Sequence, residues 1–420
     1  MRLLHLPKSY DAVVGEPFEL FYRGMLNCHE PSAFDVELSF ADGRSRGAAY
    51  RRKYLFTPTD ADIGEHPLSV CVRDNRGRVA ARGHTVIRVH AKPKAPRSER
   101  VILCVGDSLT YPGIYPNELA KQLSYAGVDN LRFIGSCIRE DEGEGRFEGY
   151  GGWTFTSYTT DFRSPRFMYI DGDFSDKDEA TDQHSLWRDE GGTVWKLESV
   201  TPTRAKLIYT YSSGSGILPP SGRLTHALGG EHHGDMLYEN GRQADANPFY
   251  STEKNALDFR AYAAKMGVSH IDEVLVLLGG NSTEESERYY KARVRAFLDA
   301  LLHDFPDCHV ALAGCAVPDR DGMGHNYGVA WHEAEKCHFI RRLTAWHTQV
   351  ACERAYRGRV QAIDLPAQFD TENNYPKAEM PVHAYTDETE LVGTNALHPT
   401  REGQEQIAAI FFRYLAGRLL

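Results

Sequence analysis

The feature that most constrains the fold of this chain is an alternation of short apolar runs and helical patterns after residue 100. Val101–Val105 is a continuous apolar run, and such runs are typical of strands buried on both faces of a parallel sheet. Similar runs follow at 131–135, 273–279, 310–314 and 360–364. Helical patterns lie between or after them, at about 285–304, at about 331–357 and after Thr400. The alternation predicts an α/β domain in which helices cover both faces of a parallel sheet.

Residues 1 to about 92 follow a different pattern, in which short runs alternate apolar and polar residues. Phe18–Tyr22 and Leu68–Val72 are two of these runs. Several strands at spacings of about ten residues predict a small, immunoglobulin-like β-sandwich. The charged, proline-containing stretch at 93–100 predicts a linker, because proline stiffens the chain and charges keep it solvated. We therefore predict a β-sandwich domain at 1–92 and an α/β domain at 101–420.

A stretch from about 165 to 250 interrupts the alternation of strands and helices. It contains β-like segments at Thr193–Leu197 and Lys206–Tyr211 and a tract rich in Gly, Ser and Pro at 212–222. These features predict a β-rich insertion in the α/β domain.

The charge balance and the lengths of the apolar segments argue against several classes of protein. The 420 residues include 48 Lys and Arg and 58 Asp and Glu, a net charge of −10. A non-specific nucleic-acid binder needs basic residues to displace the counterions of the phosphates, so we predict no nucleic-acid partner. No apolar stretch reaches the roughly 18 residues of a membrane helix, and the start of the chain does not read as a signal peptide. We therefore predict a cytoplasmic protein with no membrane partner.

Ser108 directly follows the first predicted strand of the parallel sheet. Open α/β sheets bind ligands at the carboxyl ends of their strands, so this serine lies where a nucleophile is expected. Taken alone, a serine after Gly-Asp is equally consistent with a turn. The string differs from the Gly-x-Ser-x-Gly elbow of α/β-hydrolases, because Thr110 occupies the last glycine position.

His398 lies near the other end of the chain, just before the last predicted helix. A serine hydroxyl is a poor nucleophile until a base accepts its proton, and histidine suits that role near neutral pH. A histidine before a helix is more often a surface or capping residue. The sheet topology, however, can bring this loop to the strand ends.

Two further strings contain groups that could stabilise the negative charge on a carbonyl oxygen during acyl transfer. Asn281 follows a buried strand, so its side-chain amide is expected at the same sheet edge as Ser108. Gly152 lies in a Gly-Gly-Trp string after the second strand, where the missing Cβ lets a backbone N–H approach a ligand. Either string alone is more often a turn.

Together, the four strings resemble the four ordered blocks of the GDSL, or SGNH, hydrolase family. They are Gly-Asp-Ser-Leu at 106–109, Gly-Gly-Trp at 151–153, Gly-x-Asn at 279–281 and His-Pro at 398–399. The resemblance covers about residues 100–420. It implies a three-layer α/β/α, flavodoxin-like domain that acts as a serine esterase or related acyl hydrolase, with no metal and no cofactor. For the site residues, the resemblance implies that Ser108 is the nucleophile and His398 the base. It also implies that Ser108, Gly152 and Asn281 are the oxyanion donors.

Asn395 departs from the family pattern, which has an aspartate three residues before the histidine. A neutral amide can accept a hydrogen bond from the imidazole but cannot stabilise the imidazolium with a full charge. Three interpretations stay open. Asn395 orients His398, or another acid such as Asp364 or Asp387 does so, or the enzyme works with a Ser-His dyad.

The insertion also contains a cluster of histidines, His226, His232 and His233, with Asp235 nearby. Their spacing follows no helical register, which makes them a weak candidate for a metal site. We interpret them as part of a solvated loop at the mouth of the pocket.

The preferred function is hydrolysis of small acyl esters, with an O-acetyl group on a carbohydrate as substrate. The β-sandwich and the insertion resemble features of bacterial carbohydrate or acetyl esterases. Hydrolysis of a lipid or thioester acyl group is the alternative substrate class. A second class of function, motivated by Asn395, is a carbohydrate-binding protein that has the same fold and has lost efficient catalysis.

Overall fold

The computed structural model describes residues 3–28, 30–162, 165–177, 186–212, 221–226, 230–240, 246–283, 285–319 and 333–419. Within these ranges, no helix combines the length and the hydropathy needed to cross a bilayer.

The strands are β1 (Ser9–Val13), β2 (Phe18–Phe21), β3 (Phe34–Phe40), β4 (Ala48–Ala49), β5 (Lys53–Phe56), β6 (Gly64–Asp74), β7 (Val79–His90), β8 (Arg100–Gly106), β9 (Leu131–Ile134), β10 (Glu148–Gly149), β11 (Pro165–Asp171), β12 (Leu186–Asp189), β13 (Thr193–Thr201), β14 (Arg204–Ser212), β15 (Ser221–His226), β16 (Glu231–Asn240), β17 (Tyr250–Ser251), β18 (Ala256–Leu257), β19 (Glu273–Leu277), β20 (His309–Ala313), β21 (Val360–Ile363), β22 (Lys377–Pro381) and β23 (Thr389–Gly393). The α-helices of the described residues are α1 (Tyr22–Met25), α2 (Ile114–Tyr125), α3 (Phe155–Thr159), α4 (Phe259–Lys265), α5 (Glu287–Asp304), α6 (Glu333–Ala351), α7 (Leu365–Gln368) and α8 (Arg401–Ala416).

A parallel sheet forms the centre of the α/β region, as the alternation of strands and helices predicts. Its order is β10-β8-β19-β20-β21, and β9 pairs with β8 on the same side as β10. All of these pairings are parallel. Parallel pairing requires a crossover between successive strands, and helices supply most of these crossovers here.

Both faces of this sheet are buried. Val101, Leu103 and Val105 of β8 belong to one core, together with residues of α3, α4, α5 and α6. Ile102 and Cys104 of the same strand belong to a second core with α2 and α8. Successive side chains of a strand point to opposite faces, so a strand buried on both sides reads as a continuous apolar run.

The N-terminal region contains a four-stranded sheet, β1-β7-β6-β3, and a three-stranded sheet, β2-β5-β4. Both sheets contribute to one buried core, which includes Phe18 and Tyr54 from one sheet and Val70 and Ile87 from the other. Residues 91–99, between β7 and β8, contain neither helix nor strand.

The N-terminal sheets contact the α/β region through buried polar groups. Tyr10 donates to Asp364 Oδ2 over 2.8 Å, and Arg413 of α8 donates to the carbonyl of Pro17. Val13 of β1 belongs to the core shared with α2 and α8. The two regions therefore pack through a desolvated contact.

The predicted insertion forms a closed antiparallel sheet in the order β11-β14-β13-β12-β15-β16. Trp187 and Trp195 lie in its core. The expectation that His226 and His232 lie in a solvated loop is wrong. Both belong to strands, and His226 lies against Trp187 and His232 against Phe174, because an imidazole packs well on an aromatic ring. Part of the tract at 212–222 lies outside the described residues.

Candidate active site

The register of the parallel strands brings the predicted blocks to one edge of the sheet. Gly106 pairs with Gly149 on one side and with Leu277 on the other, and Leu277 pairs with Ala313. These residues lie at the carboxyl ends of their strands. The chain that follows each of them therefore leaves the sheet at the same edge, where open α/β sheets bind ligands.

Ser108 lies on a tight turn at the end of β8. A Cβ at Gly106 would lie 2.0 Å from Thr110 Oγ1 and 2.6 Å from the Leu277 carbonyl oxygen, so the approach of the turn to β19 requires glycine. The N–H of Leu109 donates to Asp107 Oδ1 over 3.0 Å. The turn leaves Ser108 partly exposed above a buried Asp107.

His398 meets Ser108 at this edge. Its Nε2 lies 2.9 Å from Ser108 Oγ, within hydrogen-bond distance. Thr400 caps α8 by accepting from Gly403, and Gln404 of the same helix donates to the carbonyl of Leu109. Helix α8 thus holds the histidine loop against the serine turn. Burial lowers the pKa of His398, which keeps the imidazole neutral near pH 7 and able to accept a proton.

Asn395 stabilises the loop that carries His398. Its Oδ1 accepts the backbone N–H groups of Leu397 and His398 over 3.0 and 2.9 Å. The other end of the amide, Nδ2, lies 3.5 Å from His398 Nδ1. For Nε2 to act as a base, the imidazole must carry its proton on Nδ1. In this geometry the Asn395 NH₂ group, which is a donor, therefore faces the Nδ1–H group of His398, which is also a donor.

The two other acids considered from the sequence lie in different surroundings. Asp364 is buried at the start of α7, where it accepts from Tyr10 and from the N–H of Ala367. Asp387 is exposed between β22 and β23. Neither acid takes part in the hydrogen bonds described above between His398, Ser108 and Asn395.

Asn281 connects two other blocks. Its Nδ2 donates to Asp107 Oδ2 and to the carbonyl oxygen of Trp153, each over 3.2 Å. The amide therefore lies between the residue that precedes Ser108 and the residue that follows Gly152. Residues 107, 153 and 281 thus meet at the sheet edge where Ser108 contacts His398.

Gly152 adopts a positive φ of 76°, a conformation that favours glycine. Trp153 is buried after it, and Thr154 caps α3 by accepting from Thr156 and Ser157. The ring of Trp153 stacks on Tyr150 at a centroid distance of 4.1 Å. The Gly-Gly-Trp block at 151–153 is therefore fixed on both sides of Gly152, by Tyr150 before it and by Trp153 and Thr154 after it.

Glu148, which the sequence analysis did not single out, is fully buried beneath the second block. It accepts four hydrogen bonds of 2.7 Å, from the Ser136 N–H, the Ser136 hydroxyl, Tyr150 and Tyr262. Burial raises the pKa of Glu148, and the hydrogen bonds oppose that shift. No sequence signal marks this residue, since its partners come from several separate segments.

Asp107 and Lys336 are two further buried titratable residues, and the sequence analysis did not predict their burial. Burial raises the pKa of Asp107 to about 7, against the opposing effects of the Leu109 N–H and the Lys336 charge. Lys336 of α6 is 6% exposed and donates to the carbonyl of Gly280. A signal was present, because Lys336 shares a helical spacing with the buried residues Ile340, Leu343 and His347.

Among the described residues, no group of three or more His, Cys, Asp or Glu side chains is arranged to hold a metal ion. His226, His232 and His233 lie on β15 and β16 of the closed antiparallel sheet.

Comparisons with known proteins give similarities at the level of structure. No family model and no curated protein matches the sequence. A family 3 carbohydrate esterase from Clostridium thermocellum is 15% identical, with 77% of this chain and 98% of that chain covered and a TM-score of 0.38. A family two carbohydrate esterase from the same organism, solved with cellohexaose, is 11% identical over 97% of this chain and 94% of its own, with a TM-score of 0.34.

A protein from Slackia heliotrinireducens, described as a candidate SGNH hydrolase, is 12% identical over 76% of this chain and all of its own, with a TM-score of 0.34. The solved structures to which this chain is similar thus include carbohydrate esterases and a protein described as an SGNH hydrolase. The four sequence blocks of this chain resemble the SGNH family.

Proposed function

We propose that this chain is a serine esterase of the SGNH hydrolase family. In this proposal, residues 101–420 form the three-layer, flavodoxin-like domain of that family with a β-rich insertion, after a β-sandwich at 1–92 and a linker at 93–100. The observation that carries the proposal is the 2.9 Å contact between Ser108 Oγ and His398 Nε2, at the sheet edge where Asn281 joins Asp107 to Trp153.

Acylation begins with the neutral imidazole. His398 Nε2 accepts the Ser108 proton while Oγ forms a bond to the carbonyl carbon of the ester, and the carbonyl electron pair moves to oxygen. The tetrahedral intermediate then collapses. Its bond to the leaving oxygen breaks, and the imidazolium returns the proton to the departing alcohol, which leaves an acyl-serine.

Deacylation repeats these steps with water. His398 accepts a proton from the water molecule as its oxygen attacks the acyl carbon, and the proton then returns to Ser108 Oγ as the carboxylic acid leaves. In both half-reactions the oxyanion needs donors already aimed at it. We assign this role to the backbone N–H groups of Ser108 and Gly152 and to Asn281 Nδ2.

The preferred substrate is an O-acetyl group on a carbohydrate, in keeping with the sequence resemblance to acetyl esterases. Esters with acyl chains of increasing length provide a direct check on this preference.

The test compares hydrolysis of p-nitrophenyl acetate and of acetylated oligosaccharides by the wild type and by Ser108→Ala. We expect the variant to lose activity by about 10³-fold or more, because the nucleophile is absent. Ser124→Ala is the matched control, since Ser124 is exposed on α2 and should keep full activity. A fluorophosphonate probe should label the wild type and fail to label Ser108→Ala.

The orientation of Asn395 favours a second candidate, a carbohydrate-binding protein with weak catalysis. Its amide donor faces the imidazole nitrogen that a base must keep protonated. If neither the wild type nor Ser108→Ala hydrolyses any ester, and acetylated or plain oligosaccharides still bind in calorimetry, the esterase proposal is wrong and the binding function replaces it.

A further inference from the structure

We infer that Arg139 and Tyr111 form an anion subsite beside Ser108, which selects esters of sugars that carry a carboxylate. This inference rests on the proposed function, because it names the class of carbohydrate that the same site takes. Arg139 binds the carboxylate, and Tyr111 holds the guanidinium in place.

The first observation is the position of Tyr111 relative to the nucleophile. The backbone N–H groups of Thr110 and Tyr111 both donate to the carbonyl of Asp107, over 3.0 and 2.9 Å, so the turn that carries Ser108 is helical. Side chains three residues apart on a helical turn lie on the same side of it. The two residues between Ser108 and Tyr111 are buried, whereas Ser108 is partly exposed and Tyr111 is 50% exposed. Tyr111 therefore lies on the open side of the turn, next to Ser108.

The second observation is the guanidinium of Arg139, which lies over the Tyr111 ring. Its Cζ is 4.1 Å from the ring centroid. An arginine on an aromatic face keeps the N–H groups in the plane of its guanidinium available to acceptors. A Cβ at Gly113 would lie 2.9 Å from Arg139 Cγ, so the stem of this arginine also packs against the backbone that follows the serine turn. The cation is held in position before any anion binds, which lowers the entropic cost of binding.

The loop that carries Arg139 is also fixed to the histidine side of the candidate site. The N–H groups of Glu142 and Gly143 each donate to the Arg139 carbonyl over 3.0 Å. The Glu142 carboxylate in turn accepts from Arg401, the first residue of α8, over 2.5 Å. Because His398 lies three residues before this helix residue, the loop joins the two elements that carry the nucleophile and the base.

The third observation is that part of the Arg139 guanidinium has no acceptor. Its Nη1 donates to the carbonyl of Ile138 over 3.3 Å. In the part of the chain that the structure describes, no acceptor pairs with the edge formed by Nε and Nη2, and no carboxylate forms an ion pair with this arginine. Glu140 and Asp141, which follow it, are exposed, so water and salt screen their charges. The two parallel N–H groups of that edge match the two oxygens of a carboxylate.

An acidic sugar fits this arrangement. A uronic acid carries a carboxylate and an acetylated hydroxyl on one ring, so a single sugar can reach both Arg139 and Ser108. The net charge of −10 repels anions from the protein as a whole, so an acidic substrate needs a local cation of this kind.

Three substrates that differ only at C6 test the inference: a methyl glucuronoside, the corresponding glucuronamide and the corresponding glucoside, each acetylated at the same hydroxyl. We expect kcat/KM of the wild type to be about 30-fold higher for the acid than for either neutral sugar, because hydrogen bonds between charged groups are strong. Arg139→Met should reduce this ratio to about 1, mainly through KM of the acid, because the contact is present in the bound substrate and in the transition state alike. Tyr111→Leu should reduce it to about 5, since the guanidinium keeps its charge and loses the ring that holds it.

Arg132→Met is the matched control. Arg132 is an exposed arginine that donates to the carbonyl of Met266, and it pairs with Val101 near the amino end of β8, away from the edge of the sheet that carries Ser108. The substitution removes the same charge from the protein, so the preference for the acid should stay at its wild-type value. An equal loss of the preference in Arg132→Met and Arg139→Met would overturn the inference, because the net charge alone would then explain the preference.

Binding without turnover separates this inference from the proposed function. In calorimetry with Ser108→Ala, we expect the acetylated glucuronoside to bind about 30-fold more tightly than the glucoside, and Arg139→Met in the same background to remove the difference. Preferential binding of the acid through Arg139, with no hydrolysis by the wild type, would refute the esterase and support the subsite. Hydrolysis with no preference for the acid, in either activity or binding, would overturn the subsite and leave the esterase in place.

Discussion

Two buried carboxylates lie beneath the candidate site, and the protein holds them in different ways. Glu148 accepts four hydrogen bonds from neutral donors, two from Ser136 and one each from Tyr150 and Tyr262. Asp107 accepts from the Leu109 N–H and from Asn281, and the charge of the buried Lys336 ammonium opposes the rise in its pKa.

The difference indicates that Glu148 has a structural role, whereas Asp107 acts on a residue of the candidate site. The partners of Glu148 hold the second block in place, and none of them is assigned to the reaction. Asp107 instead contacts Asn281, which we assign as an oxyanion donor. A carboxylate in a low-dielectric interior orients donors strongly, so the function of each charge follows from the donors it orients. The predictions below test this contrast.

The largest expected effect is on stability, in Glu148→Ala. The substitution leaves four hydrogen-bond donors without their acceptor, so we expect the free energy of unfolding to fall by about 3 kcal/mol. Urea denaturation measures it. Glu37→Ala is a suitable control, because Glu37 is an exposed partner of Arg73 and its loss should cost less than about 1 kcal/mol. Equal effects of the two substitutions would refute a structural role for Glu148.

Asp107→Asn should lower activity as well as stability, in contrast to Glu148→Ala. We expect kcat to fall about 30-fold, since the restraint on the Asn281 amide is lost. The free energy of unfolding should also fall, by about 2 kcal/mol, because the buried Lys336 ammonium loses the opposite charge that favours it. Steady-state kinetics and urea denaturation of the same preparation measure both quantities. A large loss of stability with unchanged kcat would place Asp107 in the same class as Glu148.

Asn395→Asp extends the comparison to a position where an amide replaces the family's acid. One carboxylate oxygen can keep the backbone contacts of Asn395, and the other can accept from His398 Nδ1. We expect kcat to rise about tenfold, a fraction of the effect of the acid in serine proteases. A carboxylate also raises the pKa of His398, so activity should be lost at a higher pH on acidification than in the wild type. A fall in kcat would show that the Asn395 amide is required.

The smallest effect is expected in Tyr150→Phe, which removes one of the four donors to Glu148. The free energy of unfolding should fall by about 1 kcal/mol. The phenyl ring keeps the stacking contact with Trp153, so kcat should stay within about twofold of the wild type. A loss of kcat as large as in Asp107→Asn would link the Glu148 network directly to the reaction.

Strands β8, β19 and β20 of the parallel sheet were predictable because their burial on both faces leaves a continuous apolar run. The two-residue strand β10 of the same sheet was not predicted. Strand β1 was not predicted, although all five of its residues are buried. It contains Tyr10 and Asp11, whose polar groups are buried only because Asp364, His90 and Gln361 pair with them. A strand of this kind lacks both the alternation and the apolar run that identify strands from sequence.

The sequence by itself determined the α/β alternation, the order of the four blocks and the residue types at 108, 281 and 398, because each is a property of a short stretch of chain. The tertiary structure decided which charges lose contact with water. Nothing local in the sequence marks Glu148 as buried, and the full burial of Asp107 and Lys336 also depends on distant segments that pack around them. Desolvation is a property of the whole fold. It shifts the pKa of all three groups toward the neutral form, and it strengthens the hydrogen bonds that each of them makes.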